Sequence, residues 1–376
     1  MGMPVPAEID PRTAWERVRD GALLIDVREP PEWSEGRPAL GHSAPCSAFN
    51  EGIAALDPAP DRELVLICAR GIRSRQLAER LAGQGFPHVA SVAGGFRRWL
   101  AEGLPLLEDP GLEPQAVERY DRHLRLPEVG LAGQRRLLDS RILLVGAGGL
   151  GSPVALYLAA AGVGTLTVVD DDRVERSNLQ RQVLHEEAWI GRPKVDSAKA
   201  RLQGLNPGIR VEAVQARLDL DNVCGLLAGH DLVVDGADNF ATRYLVNAAC
   251  IHLGIPWVYG AVERFRGQVG LFVPGEGPCY RCLFPEPPPP EHAPTCAEAG
   301  VLGVLPGTIG LLQATEAVKF LLGIGEPLRG VLLSYDALGM RFQRSRLQRD
   351  PECPGCAPGV DLADRLPAVA AQSCAG

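Results

Sequence analysis

The apolar positions of this chain fall into short blocks separated by polar turns, and one block stands apart. Between Arg141 and Asp170 no residue carries a charge, and the stretch reads RILLVGAGGLGSPVALYLAAAGVGTLTVVD. An uncharged run of that length is long enough to suggest a membrane span. Its six glycines and its two β-branched segments point instead to a buried strand–helix–strand unit. The pattern predicts a strand over Ile142–Val145 and a glycine turn at Gly146, Gly148, Gly149 and Gly151. A helix over about residues 153–161 and a second strand over Thr165–Val169, ending on Asp170, complete the unit.

Shorter blocks mark further strands. Leu23–Val27 precedes Arg28 and Glu29, and Glu63–Ile67 delivers Cys68 at its end, with a helix expected over Ser74–Ala82. Asp231–Asp235 leads into Gly236-Ala237-Asp238-Asn239. Ile309–Leu322 reads as an amphipathic or buried helix. Leu104–Pro114 is proline-rich and acidic, as a linker would be. Residues 357–376 are small and weakly patterned, and a disordered tail is expected there. The blocks together predict an α/β protein.

The glycine turn matches G-x-G-x-x-G, with an acid at the end of the next strand. Glycine lets the backbone approach a phosphate, and the following helix N-terminus offers free N–H groups and a positive dipole end. Asp170 can accept hydrogen bonds from a ribose. The spacing implies a nucleotide without naming it. No G-x-x-x-x-G-K-[ST] loop occurs, which excludes a Walker-type ATPase.

Composition narrows the picture in three places. The chain has 376 residues, enough for two or three domains, and 46% hydrophobic with 22% charged residues is ordinary for a globular protein. A net charge of −8 disfavours bulk nucleic-acid binding. The first twenty residues lack the apolar core of a signal peptide, so the ten cysteines read as metal ligands and reactive thiols rather than a disulfide framework. A cytoplasmic protein with no membrane contact is expected.

Cys68 lies between a strand end and a helix start, in the loop Cys68-Ala69-Arg70-Gly71-Ile72-Arg73-Ser74. A nest of backbone N–H groups and two flanking arginines would favour its thiolate, making it a candidate nucleophile. Together with Asp26-Val27-Arg28-Glu29 and the GGFRRWL segment from Gly94 to Leu100, this stretch resembles a rhodanese domain over most of residues 10–107. The resemblance implies a persulfide on Cys68, cradled by loop amides. Four residues separate Cys68 from Arg73, as in the sulfurtransferases. Arg37–Pro45 (RPALGHSAP) departs from the usual G-H-I-P-G-A pattern.

A second resemblance runs from about Arg119 to Cys356. Its motifs are RYDRH (from Arg119), SNLQRQ (from Ser177), GRPK (from Gly191), DGADN (from Asp235), YGAV (from Tyr259), PCYRCLFPEPPPP (from Pro278) and CAEAGVLGVLPG (from Cys296). They resemble the ubiquitin-activating-enzyme-like adenylyltransferases of the MoeB/ThiF type, with MoeB the nearest in pattern. The resemblance implies a Rossmann-like ATP-binding adenylyltransferase domain. In it Gly149 and Asp170 hold ATP, and Ser177, Asn178, Leu179, Gln180 and Arg181 surround the triphosphate. Lys194, Asp238 and Asn239 complete the nucleotide and Mg2+ site. Arg122 would reach across from the second subunit of a homodimer. The domains expected are 1–107 rhodanese, 108–118 linker, 119–357 adenylyltransferase and 358–376 tail. In eukaryotic members of the family the rhodanese follows the adenylyltransferase; here it precedes it.

Cys279-x-x-Cys282 and Cys353-x-x-Cys356 are paired thiol knuckles, and four thiolates suit a closed, structural Zn2+ site. Phe284–Pro294 is too proline-rich for regular structure and reads as a crossover loop leading to Cys296. The resemblance makes Cys296 a candidate thioester or sulfur-relay nucleophile. Cys46, Cys224, Cys250 and Cys374 have no such context. The implied reaction is ATP-dependent adenylation of the Gly-Gly terminus of a small ubiquitin-like sulfur carrier, MoaD-like in the first instance and so in molybdenum cofactor biosynthesis. The rhodanese persulfide, loaded by a donor such as a cysteine desulfurase, would then give a thiocarboxylate. A thiamine, tRNA-thiolation or other carrier remains open, as does an NAD-dependent oxidoreductase fused to a rhodanese, which the glycine fingerprint alone permits.

Overall fold

The computed structural model describes residues 6–56, 58–59, 61–106, 112–288 and 300–367. It divides into two compact units, residues 1–130 and 131–376. Cys296 and Cys374 lie outside the described residues, so the expectation for Cys296 has no structural counterpart.

The first unit is a five-stranded parallel sheet in the order β1-β5-β4-β2-β3. Its strands are β1 (Ala7–Ile9), β2 (Leu23–Asp26), β3 (Gly41–Ser43), β4 (Leu64–Ile67) and β5 (Val89–Val92). The helices are α1 (Pro11–Arg19), α2 (Phe49–Leu56), α3 (Ile72–Gly83) and α4 (Gly95–Ala101). Strands β2, β4 and β5 are buried along their whole length, as a sheet covered on both faces requires. Two apolar clusters cover its faces, one around Phe96 and Trp99, the other around Phe49, Leu66 and Leu81. Two short helices, α5 (Pro114–Arg119) and α6 (Asp121–Leu124), close this unit.

The second unit opens on α7 (Gly130–Asp139) and is built on an eight-stranded sheet in the order β13-β12-β11-β10-β9-β6-β7-β8. Strands β6 (Arg141–Val145), β7 (Thr165–Val169), β8 (Arg210–Val214), β9 (Leu232–Asp235) and β10 (Trp257–Glu263) are parallel. Strands β11 (Arg266–Phe272), β12 (Val331–Asp336) and β13 (Arg341–Arg346) extend it antiparallel. The helices are α8 (Gly151–Ala161), α9 (Lys194–Leu205), α10 (Val223–Leu227), α11 (Phe240–Leu253), α12 (Tyr280–Leu283) and α13 (Val304–Leu322). No helix among the described residues is long and apolar enough to cross a membrane. The uncharged Arg141–Asp170 stretch is the strand–helix–strand unit β6-α8-β7.

Strand order reverses between β6 and β9. Such a switch point opens a crevice at the carboxyl ends of the strands. Two glycines make it possible for the chain to pass there. A Cβ on Gly151 would lie 2.0 Å from the carbonyl oxygen of Gly146, and one on Gly236 would lie 2.7 Å from that of Val145.

Of the expected tail, the described residues up to Pro367 include ordered structure. Ala363–Arg365 forms a 3-10 turn, Arg365 and Leu366 are buried, and Leu366 joins the main core of this unit. Arg365 offers its carbonyl to Arg281 Nη1 at 2.8 Å and donates to Gly355 O at 2.8 Å. Weak local patterning hid this, because the anchor is two residues rather than a periodic face.

Candidate functional site

A cleft of about 610 Å³ occupies the switch point. Of the residues singled out in the sequence, Gly146, Gly148, Gly149, Asp170, Arg181, Lys194, Asp238 and Asn239 line it. Gly151 does not; it lets α8 pack against the turn. Ser177, Asn178, Leu179 and Gln180 are also absent from the lining. They work one step back: Arg181 donates to Asn178 Oδ1 at 3.0 Å and to Ser177 O at 3.3 Å, so this turn aims the guanidinium. Arg122 belongs to the other unit, where its exposed side chain pairs with Asp121 at 3.2 Å.

Asp170 ends β7 and accepts from the Ala147 amide at 2.7 Å and the Asp172 amide at 2.8 Å. Burial raises its pKa, against Lys194 and the two amides. Each oxygen keeps acceptor capacity for a hydroxyl. Lys194 is 4% exposed and pairs with Asp172 at 2.7 Å. Its charge is therefore held ready by an exposed acid that an incoming phosphate could replace. Asp238 is exposed at the end of β9, where one carboxylate and phosphate oxygens suit Mg2+. Asn239 caps α11 by accepting from the Thr242 amide at 2.9 Å.

The sequence reading missed the back wall. Asp235 is fully buried and pairs with Arg243 at 3.3 Å. Arg243 donates on to the Ala237 carbonyl at 2.8 Å and lines the cleft. Burial pushes Asp235 up to about 6 despite that guanidinium. Gln313 of α13 donates to the Asp235 carbonyl at 2.6 Å. Tyr259, Glu263, Arg266 and Gln268 of β10 and β11 supply the far side. The Arg243 signal was its position on the first turns of a helix following a strand-end acid.

In the first unit Cys68 ends β4 and is buried. Its Sγ accepts from the Gly71 amide at 3.1 Å and the Ser74 hydroxyl at 3.3 Å. Ser91 donates in turn to Ser74 at 2.9 Å. Burial pushes the Cys68 thiol up, but the Ser74 hydroxyl and the amides of Ser74, Arg70 and Gly71 outweigh it, leaving the pKa below its ordinary value. Arg73 is forked onto Glu32, at 2.6 and 2.7 Å.

The remaining motifs of this unit brace that loop. Asp26 and Arg28 form a fully buried pair at 2.7 Å, with the guanidinium 3.6 Å from the Phe96 ring centroid. Gly95 has φ +61, and a Cβ there would meet the Cys68 carbonyl at 2.2 Å. The Phe96 amide donates to that same carbonyl at 2.8 Å. Burial raises the thiols of Cys46, Cys224 and Cys250, which keeps them protonated.

Cys279, Cys282, Cys353 and Cys356 converge with all four Sγ atoms within 4.8 Å of one another. Three Sγ–Sγ edges measure 3.8, 3.7 and 3.6 Å. A tetrahedron with Zn–S bonds of about 2.3 Å has edges of about 3.8 Å. The donor set fits zinc, and four ligands leave no open position.

Residues 120–355 match the ThiF family, and residues 10–102 match the rhodanese-like domain. The chain is 55% identical over 265 residues to the SAMP-activating enzyme E1 of Haloferax volcanii, covering 70% of this chain and 97% of that one. It is 55% identical over 247 residues to the sulfur carrier protein adenylyltransferase of Thermus thermophilus, covering 64% and 91%. It is 48% identical over 268 residues to the probable adenylyltransferase/sulfurtransferase MoeZ of Mycobacterium tuberculosis, covering 70% and 68%. In fold it is similar to the crystal structure of E. coli MccB with ATP, with a TM-score of 0.55 and 23% identity over 65% of this chain and 75% of that one. With the family match spanning most of its length, this chain belongs to the ThiF family and carries a rhodanese-like domain ahead of its ThiF region.

Proposed function

We propose that this enzyme adenylates the C-terminal Gly-Gly carboxylate of a small ubiquitin-like sulfur-carrier protein and then replaces AMP with sulfur. The supporting observation is that one chain holds both a phosphate-suited cleft at a sheet switch point and a loop that stabilises a thiolate. The names of the relatives, a SAMP-activating enzyme and a sulfur carrier protein adenylyltransferase among them, support a protein carrier as substrate.

In this reading Gly148 and Gly149 approach the phosphates of ATP, while Arg181 and Lys194 neutralise them. Asp170 accepts from the ribose. Asp238 would hold Mg2+, which would supply positive charge to offset that of the phosphates. The carrier carboxylate attacks the α-phosphorus, pyrophosphate leaves, and the acyl-adenylate now has AMP as a good leaving group. The Cys68 persulfide attacks the acyl carbon, either directly, expelling AMP, or after the acyl group has passed to Cys296 with loss of AMP. A second thiol attacks the Cys68 sulfur of the acyl disulfide, forming a disulfide with Cys68 and releasing the carrier as its thiocarboxylate. Zinc at the four thiols would hold the fold and take no part in these steps.

The finer assignments belong to the same proposal. The carrier is MoaD-like and the pathway molybdenum cofactor biosynthesis; a cysteine desulfurase loads Cys68 in the cytoplasm. The active form is a homodimer in which Arg122 serves the partner's cleft, and Cys296 acts as a relay. The functional divisions are 1–107, 108–118 and 119–357.

ATP–pyrophosphate exchange with each Gly-Gly carrier of the same cell added in turn tests this. Exchange should depend on one carrier, and Cys68→Ala should keep exchange while abolishing thiocarboxylate. Absence of exchange with every carrier tried would sink the adenylation claim. Loss of exchange in folded Cys68→Ala would sink the division of labour.

A further inference from the structure

Behind the glycine turn lies a buried histidine that the reaction above does not use. His185 is 6% exposed. Its Nε2 is 2.8 Å from the Ala147 carbonyl oxygen, and its Nδ1 is 3.0 Å from Ser197 Oγ on α9. A carbonyl only accepts, so Nε2 carries the proton and Nδ1 accepts from the Ser197 hydroxyl. Burial drives the imidazole pKa down and the nearby Lys194 charge adds to this, against the Ala147 carbonyl. One neutral tautomer is thereby fixed.

The carbonyl it holds belongs to the peptide joining Ala147 to Gly148. Ala147 is fully buried, and its own N–H is taken by Asp170. A trans peptide directs its C=O and its N–H to opposite sides. Drawing the Ala147 oxygen onto His185 therefore turns the Gly148 N–H away from His185, on the residue that lines the cleft. None of the hydrogen bonds among the described residues uses that N–H. An apolar side chain at position 185 would leave the Ala147 carbonyl buried without a partner, and the peptide would lose the contact that sets its plane.

We propose that His185 is a positioning residue for nucleotide phosphates: by pinning the Ala147 carbonyl, it aims the Gly148 N–H at them. The proposal rests on the nucleotide reading of the cleft.

Calorimetric titration of the full chain with Mg–ATP and, separately, with adenosine tests it. His185→Leu should weaken Mg–ATP about tenfold or more, the loss of one hydrogen bond to a charged group, and leave adenosine within about twofold. His185→Gln, whose amide N–H can meet the same carbonyl, should restore Mg–ATP to within about threefold. If His185→Leu does not fold, Ser197→Ala carries the test, with Mg–ATP weakened about threefold and adenosine unchanged. Equal losses for the two ligands, a glutamine variant no better than leucine, or unaltered Mg–ATP affinity would each overturn the proposal. Absence of Mg–ATP binding by the unaltered chain would overturn the adenylation reading and this proposal with it.

Discussion

Removing the Ser74 hydroxyl should raise the pKa of Cys68 and slow its chemistry at neutral pH. Ser74 is fully buried, accepts from the Ser91 hydroxyl at 2.9 Å, and shares its own proton between Cys68 Sγ at 3.3 Å and the Gly71 carbonyl at 3.2 Å. A hydrogen bond to a charged group is worth about 1.5–3 kcal/mol, and the long contact to sulfur argues for the low end. At about 1.4 kcal/mol per pKa unit, Ser74→Ala should lift the thiol by about one unit. The sign follows from the environment: burial already favours the neutral thiol, so every donor lost moves the balance upward. Peptide-resolved alkylation rates with iodoacetamide across pH read the midpoint of Cys68 separately from the other thiols. Ser91→Ala should shift it the same way by less. Arg73→Gln should shift it least, since Glu32 already takes that guanidinium. An unmoved midpoint in Ser74→Ala, or an equal shift in Arg73→Gln, would refute stabilisation by the loop's hydrogen bonds.

Three further outcomes are expected. Cys353→Ser, or prolonged chelation, should release one zinc per chain by atomic absorption and lower the thermal midpoint of the second unit; a metal-free chain of unchanged stability would exclude a structural site. Asp235→Asn strands the buried charge of Arg243 and should cost about 3 kcal/mol or more in urea unfolding, whereas an effect below about 1 kcal/mol would mean that water reaches the pair. Truncation after Val360 removes Leu366 from the core and the carbonyl that Arg281 uses, and should cost about 2 kcal/mol, checked by the denaturation midpoint.

The nucleotide-binding frame was legible because its signals are local. The Gly146–Gly151 turn, the acid at Asp170 and the run from Asp231 to Asp235 each declare a strand end within a few residues. Cys68 was legible for the same reason. What brings Asp235, Arg243 and Gln313 together is tertiary: their sequence separation hides a wall that forms only when β9, α11 and α13 meet. Lys194 was found, but its partner Asp172 was not, because nothing in the spacing says which of three adjacent acids faces it. The Glu32 partner of Arg73 was hidden, since it lies 41 residues away in sequence. The antiparallel extension β11–β13 went unpredicted; β13 is almost wholly exposed and lacks the apolar alternation that betrays a strand.

The two thiol knuckles stand 74 residues apart. A zinc joining them would close that length of chain into a ring, containing α13 and both outer strands β12 and β13. Treated as a crosslink, such a closure removes denatured-state freedom worth about 4 kcal/mol. The outer strands need that help, for β13 buries little of its own. Their loss from the sheet edge would then be confined to a tethered loop, whose ends stay registered against the core and from which re-pairing is intramolecular. The metal would thus act on how far an opening can spread, while the cleft between β6 and β9 keeps its shape.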